Sequence, residues 1–176
     1  MKFKEKYNFL FLCTGNSEPC IIAESLLNRI GNGKFFAYSA GNNSTGKIHP
    51  CTNKLLKTLN VDTSELRSKN WGVFVSQRPP QRDCVVAVCD NAAGKACPIW
   101  LGAPIKLHWF LPDPAGFKGS GKEILAVFRN VYVLIEKGTQ IIANVARHKF
   151  DKMVLEKKLN QIVKTHSNFS GTQEND

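Results

Sequence analysis

Short apolar runs alternate with longer amphipathic stretches along most of this chain. The apolar runs predict strands at residues 7–12, 35–40, 83–88 and 105–109. Apolar residues at helical spacing predict helices at residues 21–30, 50–59, 121–146 and 150–164. This alternation predicts an α/β fold with a parallel sheet and right-handed crossovers.

Ligands of parallel sheets bind outside the carboxyl ends of the strands. Three residues able to do chemistry follow predicted strands: Cys13 after the first, Cys89 after the third and Asp113 after the fourth. We therefore expect these three side chains to converge on one site.

Length and composition predict one ordinary domain. The chain has 176 residues, 43% of them hydrophobic, which is enough for a core. We place a single catalytic-type α/β domain at residues 1–164 and a polar, disordered tail at residues 165–176. No apolar run approaches the ~20 residues of a membrane span, and the N-terminal run is too short for a secretory signal. We therefore predict a cytoplasmic protein without membrane contact.

The net charge of +10 raises the possibility of a nucleic-acid partner. The basic residues are spread over the N-terminal arm, residues 78–82 and residues 147–164, and no base-reading motif accompanies them. A solvated surface that weakly attracts small anions is the better interpretation. We therefore predict no nucleic-acid partner.

The segment between the first strand and the first helix is a candidate oxyanion loop around a thiol. Its members are Cys13, Thr14, Gly15, Asn16, Ser17, Glu18, Pro19 and Cys20. Backbone N–H groups at a helix N-terminus attract oxyanions and lower the pKa of a nearby thiol. Gly15 permits a positive φ, and Asn16 and Ser17 are turn residues. A buried structural cysteine is the alternative, but the loop behind Cys13 favours a nucleophile.

Cys89 and Cys97 flank a segment of small, turn-prone residues and form a second candidate site. Two such thiols can pass a disulfide along by exchange. A metal pair or two incidental cysteines are the alternatives, and a metal site usually needs a second pair. Asp113 is a candidate general acid, although the prolines on both sides of it also suit a plain turn.

Several short motifs occur in a fixed order along residues 7–141. They are Phe11-Leu12-Cys13-Thr14-Gly15-Asn16-Ser17, Ala23-Glu24, Tyr38-Ser39-Ala40-Gly41, Leu66-Arg67-Ser68-Lys69, Cys89-Asp90-Asn91-Ala92-Ala93-Gly94, Cys97-Pro98, His108-Trp109 and Asp113-Pro114. Together they resemble the arsenate reductases built on the low-molecular-weight protein tyrosine phosphatase fold. The resemblance implies a four-stranded parallel sheet with helices on both faces, of the flavodoxin-like kind.

The resemblance also implies a three-thiol relay with arsenate as the substrate. Cys13 would attack arsenate, and Asp113 would protonate the departing oxygen. Cys89 would then attack Cys13 and release arsenite, and Cys97 would attack Cys89. Thioredoxin, glutaredoxin or a small thiol would reduce the final disulfide, no cofactor would be needed, and the activity would serve arsenic resistance.

By the same resemblance, Asn16, Glu24 and Ser39 match positions that bind potassium in some relatives. The fourth position, an aspartate in those relatives, is Lys69 here. We predict that the ammonium of Lys69 replaces the ion and that no metal site remains.

The loop departs from the family pattern at its end. The family has an arginine at the position of Pro19, which clamps the oxyanion with two hydrogen bonds. Losing one such contact costs about 2–4 kcal/mol, or about 10²–10³ in rate. Glu18 adds a negative charge beside the site. Arg67, Arg78 and Arg82 are candidates to replace the clamp, Arg67 first.

Cys20 stands where the family has a serine or threonine. A thiol is a weaker hydrogen-bond donor than a hydroxyl, so we expect Cys13 to be less acidic than in relatives. A Cys13–Cys20 disulfide is also possible if the two Cα atoms lie within about 7 Å.

Three functions are compatible with this sequence. A weakened arsenate reductase explains all three relay thiols. A phosphomonoester phosphatase would use Cys13 and Asp113 but leaves Cys89 and Cys97 unexplained. A non-enzymatic relative would bind oxyanions or sense oxidation through Cys13 and Cys20. We favour the first.

Overall fold

A computed structural model describes residues 6–76, 81–88, 100, 102–148 and 151–167. Its strands are β1 (Tyr7–Cys13), β2 (Phe35–Gly41), β3 (Cys84–Ala87) and β4 (Ile105–His108). They pair in parallel in the order β2-β1-β3-β4. The predicted four-stranded parallel sheet is confirmed.

Helices follow β1, β2 and β4, as predicted. They are α1 (Pro19–Gly31), α2 (Pro50–Thr58), α3 (Gly72–Ser76), α4 (Gly121–His148) and α5 (Lys152–Ser167), with a 3₁₀ turn at Pro114–Gly116. We did not predict α3, because five residues are too few to show helical periodicity. Helix α5 continues past the predicted domain boundary at residue 164. Within the described residues, no helix combines the length and apolar character needed to cross a membrane.

Different layers cover the two faces of the sheet, because successive side chains of β1 point to opposite sides. Phe9 and Phe11 belong to a large core shared with α1, α2, α4 and α5. Leu10 and Leu12 belong to a smaller cluster, against which Phe74 of α3 packs. Helices therefore lie on both faces, as predicted.

Helix α4 lies close to the sheet because Gly138 has no side chain. A Cβ at this position would collide with the indole ring of Trp109, which is fully buried just after β4. The contact fixes the end of β4, and with it the start of the segment that leads to Asp113.

Helix α5 covers the free edge of β4. An outer strand leaves a row of backbone groups unpaired. Here the His108 N–H donates to Glu156 Oε1 (2.8 Å) and the Phe110 N–H donates to Asn160 Oδ1 (3.1 Å). Asn160 Nδ2 in turn donates to the His108 carbonyl oxygen (2.9 Å). The Asn160 amide thus pairs with β4 as a neighbouring strand would.

Candidate active site

Cys13 ends the inner strand β1 and is 6% exposed. The Asn16 N–H donates to Cys13 Sγ at 3.2 Å, a hydrogen bond that a negatively charged sulfur strengthens. Asn16 has the left-handed backbone conformation, with φ 48°. Gly15, which could adopt a positive φ, does not do so here. Asparagine tolerates this conformation better than most residues, and its side chain is fixed by the contacts described below.

The carbonyl groups of the loop point outward. They accept hydrogen bonds from residues 42–49, namely Cys13 from Asn42 (3.3 Å), Thr14 from Asn43 (3.0 Å), Gly15 from Thr45 (3.0 Å) and Ser17 from His49 (3.0 Å). In a trans peptide the following N–H points the opposite way. The N–H groups of residues 14, 15, 16 and 18 therefore point inward, to the side where Asn16 meets Cys13 Sγ. Such converging N–H groups form an anion-binding site.

Gly41 allows the loop to lie against β2. It pairs with Cys13 in the sheet register. A Cβ at this position would collide with the Thr14 carbonyl oxygen and lie 3.0 Å from the Asn16 nitrogen. Any side chain here would displace the loop.

A buried chain of polar groups supports the loop from below. Asn16 Nδ2 donates to Ser39 Oγ (2.8 Å), and Ser39 Oγ donates to the Glu24 carboxylate. The backbone N–H of Lys69 donates to Asn16 Oδ1 (2.6 Å), and Lys69 Nζ lies 3.4 Å from both Glu24 oxygens. Burial raises the pKa of Glu24, and the charge of Lys69 opposes that rise.

A cavity of about 520 Å³ opens above the thiol. Its walls come from the loop and from the segments that follow β2, β3 and β4, and its lining includes Cys13, Thr45, Val88, Leu111 and Asp113. The sequence placed Cys13 and Asp113 together at the carboxyl edge of the sheet, and both line this cavity. Asp113 Oδ1 accepts a hydrogen bond from the Ala115 N–H (3.0 Å).

A sequence profile of the low molecular weight phosphotyrosine protein phosphatases matches residues 8–158. The chain belongs to this family. An arsenate reductase from Halalkalibacterium halodurans is 33% identical over 137 residues, which cover 78% of this chain and 95% of that protein. The family that the motifs indicated is thus confirmed, and its members similar to this chain include proteins named arsenate reductases.

Solved structures agree on the fold. A low molecular weight phosphotyrosine phosphatase from Vibrio cholerae O395 has a TM-score of 0.64 at 17% identity and covers 81% of this chain and 97% of its own. A thioredoxin-dependent arsenate reductase from Corynebacterium glutamicum has a TM-score of 0.52 at 22% identity and covers 77% of this chain and 63% of its own. At these identities the likeness concerns the fold alone.

The position where the resemblance led us to expect an arginine suits a proline. Pro19 is the first residue of α1, where a missing N–H is not needed within the helix. Cys20 follows as a fully buried residue. Cys13 and Cys20 are not joined by a disulfide in this structure, and their pairing under oxidation stays a prediction.

No lysine or arginine lines the described part of the cavity. Arg67 is not among the lining residues, although its carbonyl oxygen accepts from Lys69 Nζ (3.1 Å). Arg82 is buried on the opposite face of the sheet, with its guanidinium 4.8 Å from the ring centre of Phe74. Arg78 lies outside the described residues. Neither Arg67 nor Arg82 replaces the clamp in this conformation.

Glu18 also lines the cavity, but its chemistry differs from the negative charge that we expected. Its carboxyl group is 7% exposed and hydrogen-bonds to Asp113. Burial first, and then the hydrogen bond and charge of Asp113, raise the pKa of Glu18 from 4.5 to about 7. Near neutral pH, Glu18 is therefore protonated for much of the time.

The residues beneath the loop do not fit a potassium ion. The ammonium of Lys69 already lies at hydrogen-bonding distance from both oxygens of Glu24, and a second cation beside the same carboxylate would be repelled. Elsewhere in the described ranges, no group of three or more histidine, cysteine or acidic side chains is arranged to hold a metal ion.

Cys89 and Cys97 lie outside the described residues. Val88, which directly precedes Cys89, lines the cavity, and its N–H donates to the Leu12 carbonyl oxygen (2.9 Å). The chain therefore leaves the sheet from the wall of the cavity. The three-thiol relay stays a prediction.

Two supporting features were missed by the sequence reasoning. Gly41 was noted as part of a motif, but not as the point where loop and sheet touch. The outward hydrogen bonds from residues 42–49 carry no sequence signal, because backbone groups make them. Only the density of glycine, asparagine and serine after β2 could have suggested a tight turn there.

Proposed function

We propose that this chain reduces arsenate to arsenite slowly, through a relay of Cys13, Cys89 and Cys97. The observation that carries the proposal is the loop around Cys13: its carbonyl groups bind residues 42–49, its Asn16 N–H donates to the thiol, and an open cavity lies above. Kinship with proteins named arsenate reductases supports arsenate as the substrate. A phosphatase would need no relay thiols.

In the first step, the Cys13 thiolate attacks arsenic and an As–S bond forms. An As–O bond breaks, and Asp113 protonates the departing oxygen so that it leaves as water. The Cys89 thiolate then attacks the Cys13 sulfur. The electron pair of the As–S bond stays on arsenic, which falls from As(V) to As(III) and leaves as arsenite. The two sulfurs are oxidised to a Cys13–Cys89 disulfide.

In the second half of the cycle, the Cys97 thiolate attacks Cys89 and releases the Cys13 thiolate. A dithiol donor then supplies two electrons to the Cys89–Cys97 disulfide. Thioredoxin is the first candidate, because a structure with this fold is named a thioredoxin-dependent arsenate reductase. Glutaredoxin or a small thiol are the other candidates.

We expect turnover to be slow because the loop lacks the arginine clamp. Pro19 offers neither a guanidinium nor an N–H to the oxyanion, and the described cavity wall supplies no other cation. The inward N–H groups of the loop provide the remaining attraction for the anion.

The test is arsenate-dependent NADPH oxidation with thioredoxin and thioredoxin reductase. We compare the parent, the variant Glu18→Ala/Pro19→Arg/Cys20→Ser, and Cys13→Ser as a blank. The parent should exceed the blank, and the triple variant should be faster by about 10²–10³. Turnover in the triple variant alone would end the reductase proposal for the natural chain.

Binding without turnover is the second candidate function. It is favoured by Pro19 and by the lack of a cationic side chain on the described cavity wall. In that case the parent shows no arsenate-dependent turnover at any concentration, while arsenate still protects Cys13 from alkylation.

A further inference from the structure

We infer that Glu18 and Asp113 hold one proton between them, and that this pair makes the Cys13 cavity select oxyacids that keep a proton of their own. The inference rests on the proposed function only in taking this cavity as the oxyanion site. It names the substrate class as oxyacids that keep at least one hydroxyl proton, with fully deprotonated oxyanions such as sulfate excluded.

Both carboxyl groups line the Cys13 cavity, and Glu18 is 7% exposed. Glu18 Oε1 accepts from Ser17 Oγ (3.2 Å), and Asp113 Oδ1 accepts from the Ala115 N–H (3.0 Å). The carboxyl group of Asp113 is close enough to raise the pKa of Glu18 through a side-chain hydrogen bond and through its charge. A carboxylate only accepts hydrogen bonds, so a bond between two carboxyl groups requires a proton on one of them. Two charged carboxylates at this distance would repel strongly.

Among the residues that the structure describes, no lysine or arginine lines the cavity to stabilise the fully ionised pair. The titratable side chains that line the described cavity are Cys13, Glu18 and Asp113. His49 lies behind the loop, where its N–H binds the Ser17 carbonyl oxygen; its ring stacks on Phe128.

The Glu24–Lys69 ion pair lies beneath Asn16 and balances its own charge. The proton shared by Glu18 and Asp113 is therefore the local means of reducing negative charge in the cavity.

The pair also changes which ligand fits. With one proton, it can donate a hydrogen bond to an oxygen of the ligand and accept one from a ligand hydroxyl. A doubly charged ligand without a hydroxyl offers no proton to the carboxylate, and no arginine or lysine lines the described wall to neutralise it. Because the pKa of Glu18 is about 7, loss of the shared proton should weaken anion binding on the alkaline side of neutrality.

The test follows protection of Cys13 from iodoacetamide by phosphate and by sulfate, with alkylation of the Cys13 peptide read by mass spectrometry at pH 6 and pH 8. The full-length parent is compared with Glu18→Gln, whose amide cannot lose the proton. The variant Glu65→Gln is the matched control, because Glu65 is exposed and does not line the cavity. Circular dichroism confirms folding. The measurement needs no turnover, so it is independent of arsenate reduction.

For phosphate, we divide the apparent Kd of the parent by the apparent Kd of Glu18→Gln. This ratio should rise about tenfold from pH 6 to pH 8, because the protonated fraction of the pair falls. The same ratio for Glu65→Gln should stay constant. Sulfate, which carries no proton at either pH, should protect the parent poorly at both. Asp113→Asn, which removes the sharing partner, should bind phosphate weakly with a flattened pH dependence.

A constant ratio for Glu18→Gln, or equal protection of the parent by sulfate and phosphate at pH 6, would overturn the inference and leave the oxyanion site standing. Absence of protection by any oxyanion in every variant would instead remove the oxyanion site itself. The proposed function would then fall with it.

Discussion

Gly41 is the residue on which the position of the oxyanion loop depends most directly. In Gly41→Ala, the new methyl group would collide with the Thr14 carbonyl oxygen. We expect the free energy of unfolding to fall by about 1–3 kcal/mol, and arsenate turnover to fall at least about tenfold because the loop shifts relative to Cys13.

Chemical denaturation and steady-state kinetics measure the two effects of Gly41→Ala. Gly121→Ala is the control, since a Cβ there meets open space; it should change stability by no more than about 0.5 kcal/mol. Equal effects of the two substitutions would contradict the close approach of loop and strand.

Glu18 should make stability depend on pH. Its pKa is 4.5 when unperturbed and about 7 in the fold, so the folded state binds more protons between these values. The contribution of Glu18 to the free energy of unfolding should therefore be largest below about pH 4.5. It should be lost as the pH rises through 7. Because the exposed Asp113 lets solvent screen the pair, we expect a loss of about 1–2 kcal/mol.

Urea denaturation of the parent and of Glu18→Gln at pH 5 and pH 8 isolates this contribution. The difference in free energy of unfolding between the two proteins should change by about 1–2 kcal/mol from pH 5 to pH 8. The parent should lose stability relative to the variant at pH 8. Parallel pH profiles would show that Glu18 titrates normally.

The residue-level chemistry was predictable where one short segment carries it. Cys13 ends β1 and Asp113 follows β4, and both strands run in the same direction in one sheet with β3 between them. Topology alone therefore places both residues at the carboxyl edge of the sheet. The contact of Glu18 with Asp113 was not predictable, because it joins residues far apart in sequence through the geometry of two loops. For the same reason, the sequence suggested a plain negative charge at Glu18.

At the level of elements, Asn160 joins α5 to the edge of the sheet. Asn160→Ala removes one acceptor and one donor that pair with backbone groups of Phe110 and His108. We expect it to lower the free energy of unfolding by about 1–2 kcal/mol, and to promote association through the exposed edge of β4. Thermal or urea unfolding and light scattering measure the two effects.

Gln161→Ala is the control for Asn160→Ala, because Gln161 is an exposed neighbour on the same helix. Asn160→Asp keeps the acceptor for Phe110 but loses the donor to His108, so its stability should fall between the two. If Asn160→Ala is as stable as Gln161→Ala, then Asn160 of α5 does not protect the edge of β4.

The strands and long helices were predictable because burial imposes their period on the sequence. The apolar run at β1 and the helical spacing along α4 both survive in the structure. Short α3 was not predicted, since tertiary contacts decide it locally. The prolines around Asp113 did indicate a turn, and a 3₁₀ turn lies at Pro114–Gly116. The role of α5 as an edge cover depends on single polar residues, which periodicity does not report.

At the scale of the whole molecule, the described part of the fold forms a frame that brings Cys13, the loop after it and Asp113 to one cavity. The sheet order puts Cys13 on an inner strand, and the segment after β2 turns the loop's N–H groups inward. The motifs sufficed to predict this frame. Whether the frame still supports catalysis depends on Glu18, Pro19 and the two relay thiols, for which no pattern of burial or periodicity gives the answer.

The most direct test of the central claim is a single turnover of Cys97→Ser with arsenate. This variant should stop after the first exchange, so it should yield one arsenite per protein and a Cys13–Cys89 disulfide identified by peptide mass mapping. Arsenite, as As(III), is quantified separately from arsenate, As(V), in the same sample. Cys13→Ser gives the background. No arsenite above that background, or a Cys13–Cys20 disulfide formed without arsenite, would contradict the account.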